Sequence, residues 1–321
     1  MENVFNSLID NALKENASDI HIEFENNKYC LISYRINGKV IQKAKLTSSN
    51  ANKLINYIVF KANLDVVDNQ TLHTGIIKYL FNNREISLRV SVVFAQYSKG
   101  IVIRILNNHK LILIENLSII NNNYYQLKEI LSYKNGLIIF SGKTGSGKTT
   151  TLYAIIEAIK MVSNKKIITL EEPIEREIND ILQISVNSEI ITYFDVLKQV
   201  LRHDPDVIVI GEIRDESDLK LAIQAALSGH LVITSMHAMS AVFAINRLCE
   251  LKISNSDLKA CLKLISYQEL FYTSAKEPFC IYEFINNEQV IDYLNDKSIN
   301  YNKIIDYRNA LKKEVDFYEG K

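Results

Sequence analysis

Apolar residues along the chain fall into two textures. Val4, Phe5, Leu8, Ile9, Ala12 and Leu13 recur at intervals that place them together, and this spacing predicts a short helix with one buried face. From Ser18 the text SDIHIEFENNKYCLISYRINGKVIQ alternates apolar and polar residues around an Asn-Asn pair and around Asn37-Gly38. That alternation predicts a strand meander with tight turns. A helix over about Asn50 to Ala62 is followed by more strand patterns, GIIKYLFNNREISLRVSVVF and GIVIRIL, with a turn at Asn82-Asn83. Residues 1–107 are therefore expected to form a smaller α+β domain. Residues 108–123, with asparagine clusters at both ends, read as a linker carrying a few packed apolar residues.

The second texture starts near residue 124. Near-continuous apolar runs, GLIIFS, KIITL, DVIVIGEI and HLVITSMH, alternate with helical stretches such as KTTTLYAIIEAIKMV and SDLKLAIQAALSG. Apolar strands between helices predict an α/β fold with a parallel-core sheet covered on both faces. Residues 124–321 are expected to form this domain, with a tail after about Leu251 that is mainly helical and chemically uninformative. No internal repeat or low-complexity tract interrupts either part.

Bulk properties narrow the function without naming it. At 321 residues, two modest domains are expected. Hydrophobic residues make up 47% and charged residues 23%, as in an ordinary folded chain. The 37 basic and 37 acidic residues cancel, so no global field draws the molecule to nucleic acid or anionic lipid. Cys30, Cys249, Cys261 and Cys280 lie far apart with no C-x-x-C pair, which argues for reduced thiols and against a zinc site. No signal peptide is expected at the N-terminus, and no apolar run reaches the length of a membrane span. Any membrane role is expected to pass through a partner.

The chemistry concentrates in FSGKTGSGKTTTLYA. Gly142, Gly147, Lys148 and Thr149 satisfy G-x-x-x-x-G-K-[ST], between an apolar strand and an amphipathic helix. Glycine is needed because backbone N–H groups must turn inward and approach phosphate oxygens closely. Thr144, Gly145, Ser146 and Thr150 complete the loop. Lys148 is expected on the β- and γ-phosphates of ATP, and Thr149 on Mg²⁺. In DVIVIGEIRD, Glu212 follows an apolar strand at its carboxyl end, where ligands sit in parallel sheets. A carboxylate there can orient and deprotonate the attacking water. The alternative is a surface glutamate opening a helix. ITLEEPIE brings Glu171, Glu172 and Glu175 close together after another apolar strand. Such acids repel unless a cation neutralises them; Mg²⁺ or its waters could serve, and a solvated loop is the other reading.

Taken in order, these motifs resemble the secretion ATPases that drive type II secretion, type IV pilus assembly and competence-type DNA uptake. ASDIHIE with YRINGKV, and LRVSVVF with GIVIRIL, look like that family's N-terminal domain. GKTGSGKTTTLYA looks like its Walker A, ITLEEPIE like its Asp box, and LRHDPDVIVIGEIRDESDLKLAIQAALSGHLVITSMHAMSA like its Walker B and His box. The resemblance implies a RecA-like P-loop motor in a homo-oligomeric ring, usually a hexamer, with nucleotide between the N-terminal and motor domains. It implies catalytic roles for Glu212, Glu171 and Glu175, with Glu172 near the metal. It assigns Arg89 and Arg104 as arginine fingers, which from the residues alone read as solvated strand charges. It places His230 and His237 at the nucleotide, His237 on the γ-phosphate side; a strand-end structural histidine is the alternative for each.

Departures narrow the choice within the family. The paired C-x-x-C elements of zinc-binding members are missing, so no zinc is expected. No extra domain is expected before SDIHIE, and no AIRNLIRE-like stretch is found. Lys143 stands where proline is usual and Glu172 where aspartate is usual. The short Gram-positive competence form remains. It implies a cytoplasmic enzyme, peripheral at the inner face of the membrane, partnered by a polytopic platform protein and acting indirectly on pilin-like subunits. No direct nucleic-acid contact is expected. A DNA-acting RecA-like motor and a non-hydrolysing nucleotide sensor are the rival readings.

Overall fold

The computed structural model describes residues 1–25, 29–36, 38–64, 73–95, 98–106, 112–186, 193–251, 253–273 and 277–296. The chain divides into two compact units, Met1–His109 and Lys110–Lys321. The expected turns at Asn26-Asn27 and at Asn37 lie outside the described residues.

In the first unit, α1 (Glu2–Lys14) buries Phe5, Leu8, Ile9 and Ala12, the face that the spacing predicts. It is followed by β1 (Asp19–Glu25), β2 (Tyr29–Ile36), β3 (Lys39–Thr47), α2 (Ser48–Lys61), β4 (His73–Phe81), β5 (Arg84–Ala95) and β6 (Ser98–Leu106). The strands form one antiparallel sheet in the order β3-β2-β1-β6-β5-β4. Asn82 and Asn83 both adopt positive φ, as a two-residue hairpin turn between right-twisted strands requires. One face of the sheet, with Ile20, Ile22, Leu88, Val90, Ile101 and Ile103, packs with Leu54, Ile55 and Ile58 of α2. Each such buried aliphatic side chain stabilises the unit by about 1.5–3 kcal/mol relative to exposure.

The other face carries charge. Arg35, Asp19, Arg104 and Arg89 are successive cross-strand partners, so their side chains share one face. Arg104 Nε donates to Asp19 Oδ1 at 2.8 Å, Ser18 Oγ donates to Oδ2 at 2.8 Å, and Arg35 Nε lies 3.6 Å from Oδ2. Burial pushes the Asp19 carboxyl up, but the hydrogen bonds from Arg104 and Ser18 outweigh it, and its pKa falls below the usual carboxylate value.

The second unit contains α3 (Asn121–Glu129), β7 (Gly136–Ser141), α4 (Lys148–Val162), β8 (Ile167–Glu171), β9 (Leu182–Ser185), α5 (Tyr193–Val200), β10 (Val207–Ile210), α6 (Glu216–Leu227), β11 (Leu231–Met236), α7 (Ala241–Glu250), α8 (Asn255–Cys261), β12 (Leu262–Tyr272), β13 (Pro278–Asn286) and α9 (Asn287–Asp296). Its sheet runs β13-β12-β7-β11-β10-β8-β9. Every pairing is parallel except β12 with β13. Strands β7, β8, β10 and β11 are buried along their whole length, which is why they read as unbroken apolar runs. The α/β fold with a parallel-strand sheet holds. Of the stretch 108–123, residues 112–123 are described, and Ile114 and Leu117 belong to this unit's core.

The tail departs from expectation. Instead of a mainly helical segment, residues 262–286 form two long strands, β12 and β13, that extend the sheet beside β7. Their text, LKLISYQELFY and PFCIYEFIN, is rich in apolar and aromatic residues that suit a pleated surface. With Ser266, Gln268 and Glu283 buried among them, the alternation that marks a half-exposed strand is lost. Among the described residues, no helix is long and apolar enough to cross a membrane.

Candidate functional site

The parallel strands all deliver their carboxyl ends to one edge, and β7 feeds the glycine loop there. Gly145 and Gly147 take φ +78° and +85°, the left-handed region that favours glycine. Gly147 caps α4, so the first amides of that helix point at the loop with no intrahelical acceptor. A Cβ on Gly142 would sit 2.4 Å from Ser146 Oγ and 2.7 Å from the Gln268 carbonyl oxygen. The close turn therefore tolerates no side chain at Gly142. Ser146 is buried, and its Oγ has no hydrogen-bond partner among the described residues. Thr144 is exposed, and Thr149 and Thr150 lie half-buried in the first turn of α4. Glycine cradle, helix amides and an orphaned hydroxyl form a donor set that fits phosphate oxygens.

Lys148 is buried and turns its amine back on the loop. Nζ donates to the carbonyls of Gly142 at 3.0 Å and Lys143 at 3.1 Å. Burial pushes its pKa down, while the negative charge of Glu212 pulls it up. Nζ also lies 3.4 Å from His237 Nδ1, and His237 Nε2 lies 2.7 Å from Glu212 Oε1. With the Nε2 hydrogen assigned toward the carboxylate, Nδ1 is left to accept from the lysine. The series continues on the far side of Glu212, whose Oε2 lies 3.5 Å from Arg214 Nε, while Arg214 Nη1 donates to Glu172 Oε2 at 2.6 Å. Alternating cations and anions thus link Lys148, Glu212, Arg214 and Glu172 through one imidazole.

The backbone explains this convergence. Gly211 N donates to Leu170 O at 2.8 Å, Ile213 N to Ser235 O at 2.8 Å, and Ser235 Oγ to Gly211 O at 2.7 Å. The segment carrying Glu212 is therefore pinned between the ends of β8 and β11. Beyond it, Asp215 caps α6 through Asp218 N at 3.0 Å, and Asp218 Oδ2 accepts from Arg214 N at 3.2 Å. Arg247 Nη1 holds the His237 carbonyl at 2.9 Å.

Not every expected residue arrives at this edge. His230 precedes β11 and accepts Gly136 N–H at 3.0 Å, at the start of β7. The loop lies at the other end of β7, about 17 Å away for five strand steps. His230 Nδ1 is engaged by Ser228 Oγ at 2.9 Å and the Ala225 carbonyl at 3.1 Å, at the end of α6. Glu171 does reach the edge but is already filled. Thr169 Oγ1 donates to Oε1 at 2.6 Å, Gln183 Nε2 to Oε1 at 3.0 Å, and Tyr153 OH to Oε2. Buried and triply bonded, Glu171 braces α4 and β9 against β8, a placement unlike that of an exposed base. Glu175 lies exposed beyond the turn. Arg89 and Arg104 stand side by side in the first unit, with Arg104 tied to Asp19.

Among the described residues, no group of three or more His, Cys, Asp or Glu side chains could hold a metal ion. Mg²⁺ needs less, because it takes one or two carboxylates together with phosphate oxygens and waters. The Thr149 hydroxyl and Glu172 are hard-oxygen donors of that kind. Sequence reasoning missed Arg214, the Tyr153–Thr169–Gln183 bracket, and the β12–β13 hairpin behind the loop. Arg214 had a legible signal, a cation two positions after Glu212. Gln268 had one too, an amide inside an apolar strand that must find a partner.

A family model described as Type II/IV secretion system protein matches residues 1–310. The chain is 34% identical over 281 residues to the competence protein ComGA of Bacillus subtilis strain 168, covering 87% of this chain and 78% of that one. It is 35% identical over 292 residues to type II secretion system protein E of Dickeya dadantii strain 3937, covering 89% of this chain and 57% of that protein. The X-ray structure of the Legionella pneumophila ATPase DotB is similar with a TM-score of 0.74 at 21% identity, covering 97% of this chain and 88% of that one. That likeness concerns the fold.

Proposed function

The chain belongs to the Type II/IV secretion system protein family and is a P-loop ATPase, and from that premise we propose that it forms a ring, a hexamer, that hydrolyses MgATP at the inner face of a membrane. There it powers assembly of a type IV pilus-like competence filament for DNA uptake, by turning a polytopic platform protein that feeds in pilin-like subunits. The observation that carries this reading is the contact series Lys148–His237–Glu212 at the mouth of the glycine loop. The similarity to a competence protein over most of the chain supports the choice of filament.

Loop amides and Lys148 hold the phosphates, and the lysine exchanges two neutral carbonyls for charged oxygens. Glu212 accepts a proton from the attacking water. As the water oxygen bonds to the γ-phosphorus, the bond to the bridging oxygen breaks and ADP leaves with that electron pair. His237 now occupies the Glu212 oxygen that the water needs. Its Nε2–H must therefore turn to the γ-phosphate, and this exchange couples phosphate occupancy to release of the base. Thr149 and Glu172 would hold Mg²⁺, which would supply charge neutralisation on the phosphates. We assign Arg89 and Arg104 to the charge that develops on the phosphates.

The test is genetic and biochemical. In the host, deletion of the gene is expected to abolish filaments and uptake of labelled DNA, with recovery by the wild type and none by Glu212→Gln. Purified protein is expected to hydrolyse MgATP faster with lipid-embedded platform protein than alone. Intact DNA uptake in the Glu212→Gln strain, or stimulation by DNA and not by the platform protein, overturns the assignment.

A further inference from the structure

We propose that Gln268 is a positioning residue for nucleotide, which aims the Gly147 amide into the phosphate cradle from behind. The side chain lies on β12, fully buried, with Nε2 donating to the Ser146 carbonyl at 2.7 Å. Cys280 on β13 places its Sγ 3.6 Å from the same oxygen. The Ser146–Gly147 peptide is planar and trans, so its C=O and N–H point in opposite directions. A hairpin that grips the oxygen therefore turns the hydrogen away from β12, toward the inside of the loop.

Gly147 is the residue most able to lose that orientation. Its φ of +85° is available to glycine on both sides of zero, so the peptide before it can flip at little steric cost. Two buried donors on one carbonyl oppose the flip. The hairpin also packs closely here: a Cβ on Gly147 would lie 3.3 Å from Cys280 Sγ and 3.4 Å from Gln268 Nε2, while the positive φ is what favours glycine. Tyr282, the cross-strand partner of Gln268, anchors the arrangement. Its hydroxyl lies 2.7 Å from Thr151 Oγ1 on α4, and its backbone N–H and C=O both pair with the Asn123 side chain, at 3.1 and 2.9 Å.

The loop amides contact the phosphates that ADP and ATP share, in the ground state and in the transition state alike. Losing one of them removes uniform binding, which raises KM and leaves kcat. The inference rests on the loop holding phosphate, and Lys148→Ala reads that premise by itself. The experiment titrates a fluorescent ADP analogue and measures steady-state hydrolysis for wild type, Gln268→Leu, Gln268→Met and Lys148→Ala, with melting temperatures alongside. Both Gln268 variants are expected to weaken ADP binding and raise KM for ATP about tenfold, with kcat within about twofold and melting within a few degrees. Unchanged ADP affinity in both Gln268 variants, with Lys148→Ala impaired, overturns the inference alone. A fall in kcat and melting temperature at constant KM, the result for a merely structural residue, also overturns it. Full affinity in Lys148→Ala removes the premise and the inference together.

Discussion

Glu171 and Glu212 sit at the ends of neighbouring strands and carry the same functional group, yet the first is buried under three donors and the second is one-quarter exposed beside His237, and the proposed function gives them opposite roles. The comparison of Glu171→Gln with Glu212→Gln tests this. At Glu171 the carboxylate accepts from Tyr153, Thr169 and Gln183. An amide can keep its oxygen on two of these donors, but its NH₂ then faces the tyrosine hydroxyl, which already accepts from Arg176 N at 3.1 Å. Net hydrogen bonds to charged groups contribute about 1.5–3 kcal/mol and neutral ones about 0.5–1.5. Two weakened bonds and one lost bond cost roughly 3–4 kcal/mol, and release of a buried charge returns part of it. A net cost of about 2 kcal/mol lowers the melting temperature of a unit this size by roughly 4–8 °C.

Glu212→Gln removes a proton acceptor from a side chain one-quarter exposed. Hydrolysis is expected to fall by about 10²–10⁴, with melting changed by no more than a degree or two. Differential scanning fluorimetry and phosphate release at saturating MgATP, well below either transition, read the two quantities separately. At that temperature Glu171→Gln is expected to keep hydrolysis within about threefold of wild type. The reasoning is refuted if Glu171→Gln melts like wild type and loses as much turnover as Glu212→Gln, because Glu171 would then be a working base.

Gly147→Ala forces a β-carbon into φ +85°, a strain of about 1–2 kcal/mol, which the loop relieves by flipping the preceding peptide; ADP affinity is expected to drop about tenfold by calorimetry. Cys30, Cys261 and Cys280 are buried with thiols pushed up to about 11, whereas Cys249 is half-buried. Maleimide at pH 8 should therefore label Cys249 first in folded protein and all four cysteines only in denaturant, as read by mass spectrometry. The depressed pKa of Asp19 means its contribution to stability is present above the unfolded value of 3.8 and is lost as pH falls through the lower folded value. The stability advantage of wild type over Asp19→Asn, measured by urea unfolding, is expected at pH 6–7 and is expected to shrink steadily as pH falls below 3.8; an advantage that persists undiminished in acid would show that packing, and not charge, holds Asp19.

What the sequence revealed divides along a physical line. Walker A was legible because its requirements are local: Gly142, Gly145 and Gly147 meet backbone demands within eight positions, and the strand and helix around them announce themselves by period. The placement of Glu212 at the carboxyl end of an apolar strand was legible from that strand's unbroken run, whereas its contacts with His237 and Arg214 were not. His230 and His237 could not be told apart, since each flanks β11 and only register with β7 shows which end carries the loop. The brace around Glu171 was not legible because it is assembled from Tyr153, Thr169 and Gln183, of which only Thr169 is near in sequence. The β12–β13 hairpin was misread because both of its faces are covered, so its apolar residues follow no period of two.

That hairpin changes how the site should be understood. A glycine loop that turns a strand into a helix is flexible in proportion to its glycines, and flexibility weakens binding because ordering must accompany it. Here the back of the loop is fastened by Gln268 and Cys280 to a carbonyl, while the front is held by Lys148 on the carbonyls of Gly142 and Lys143. If the loop holds phosphate as proposed, the front contacts are the ones it would replace and the rear ones would persist, so that binding would cost the reorientation of one lysine and one histidine. On the proposed function, the groups released in that exchange, Glu212 from His237 and Lys148 from its carbonyls, are the ones hydrolysis would require, so that occupation of the cradle and arming of the base would be a single rearrangement of partners.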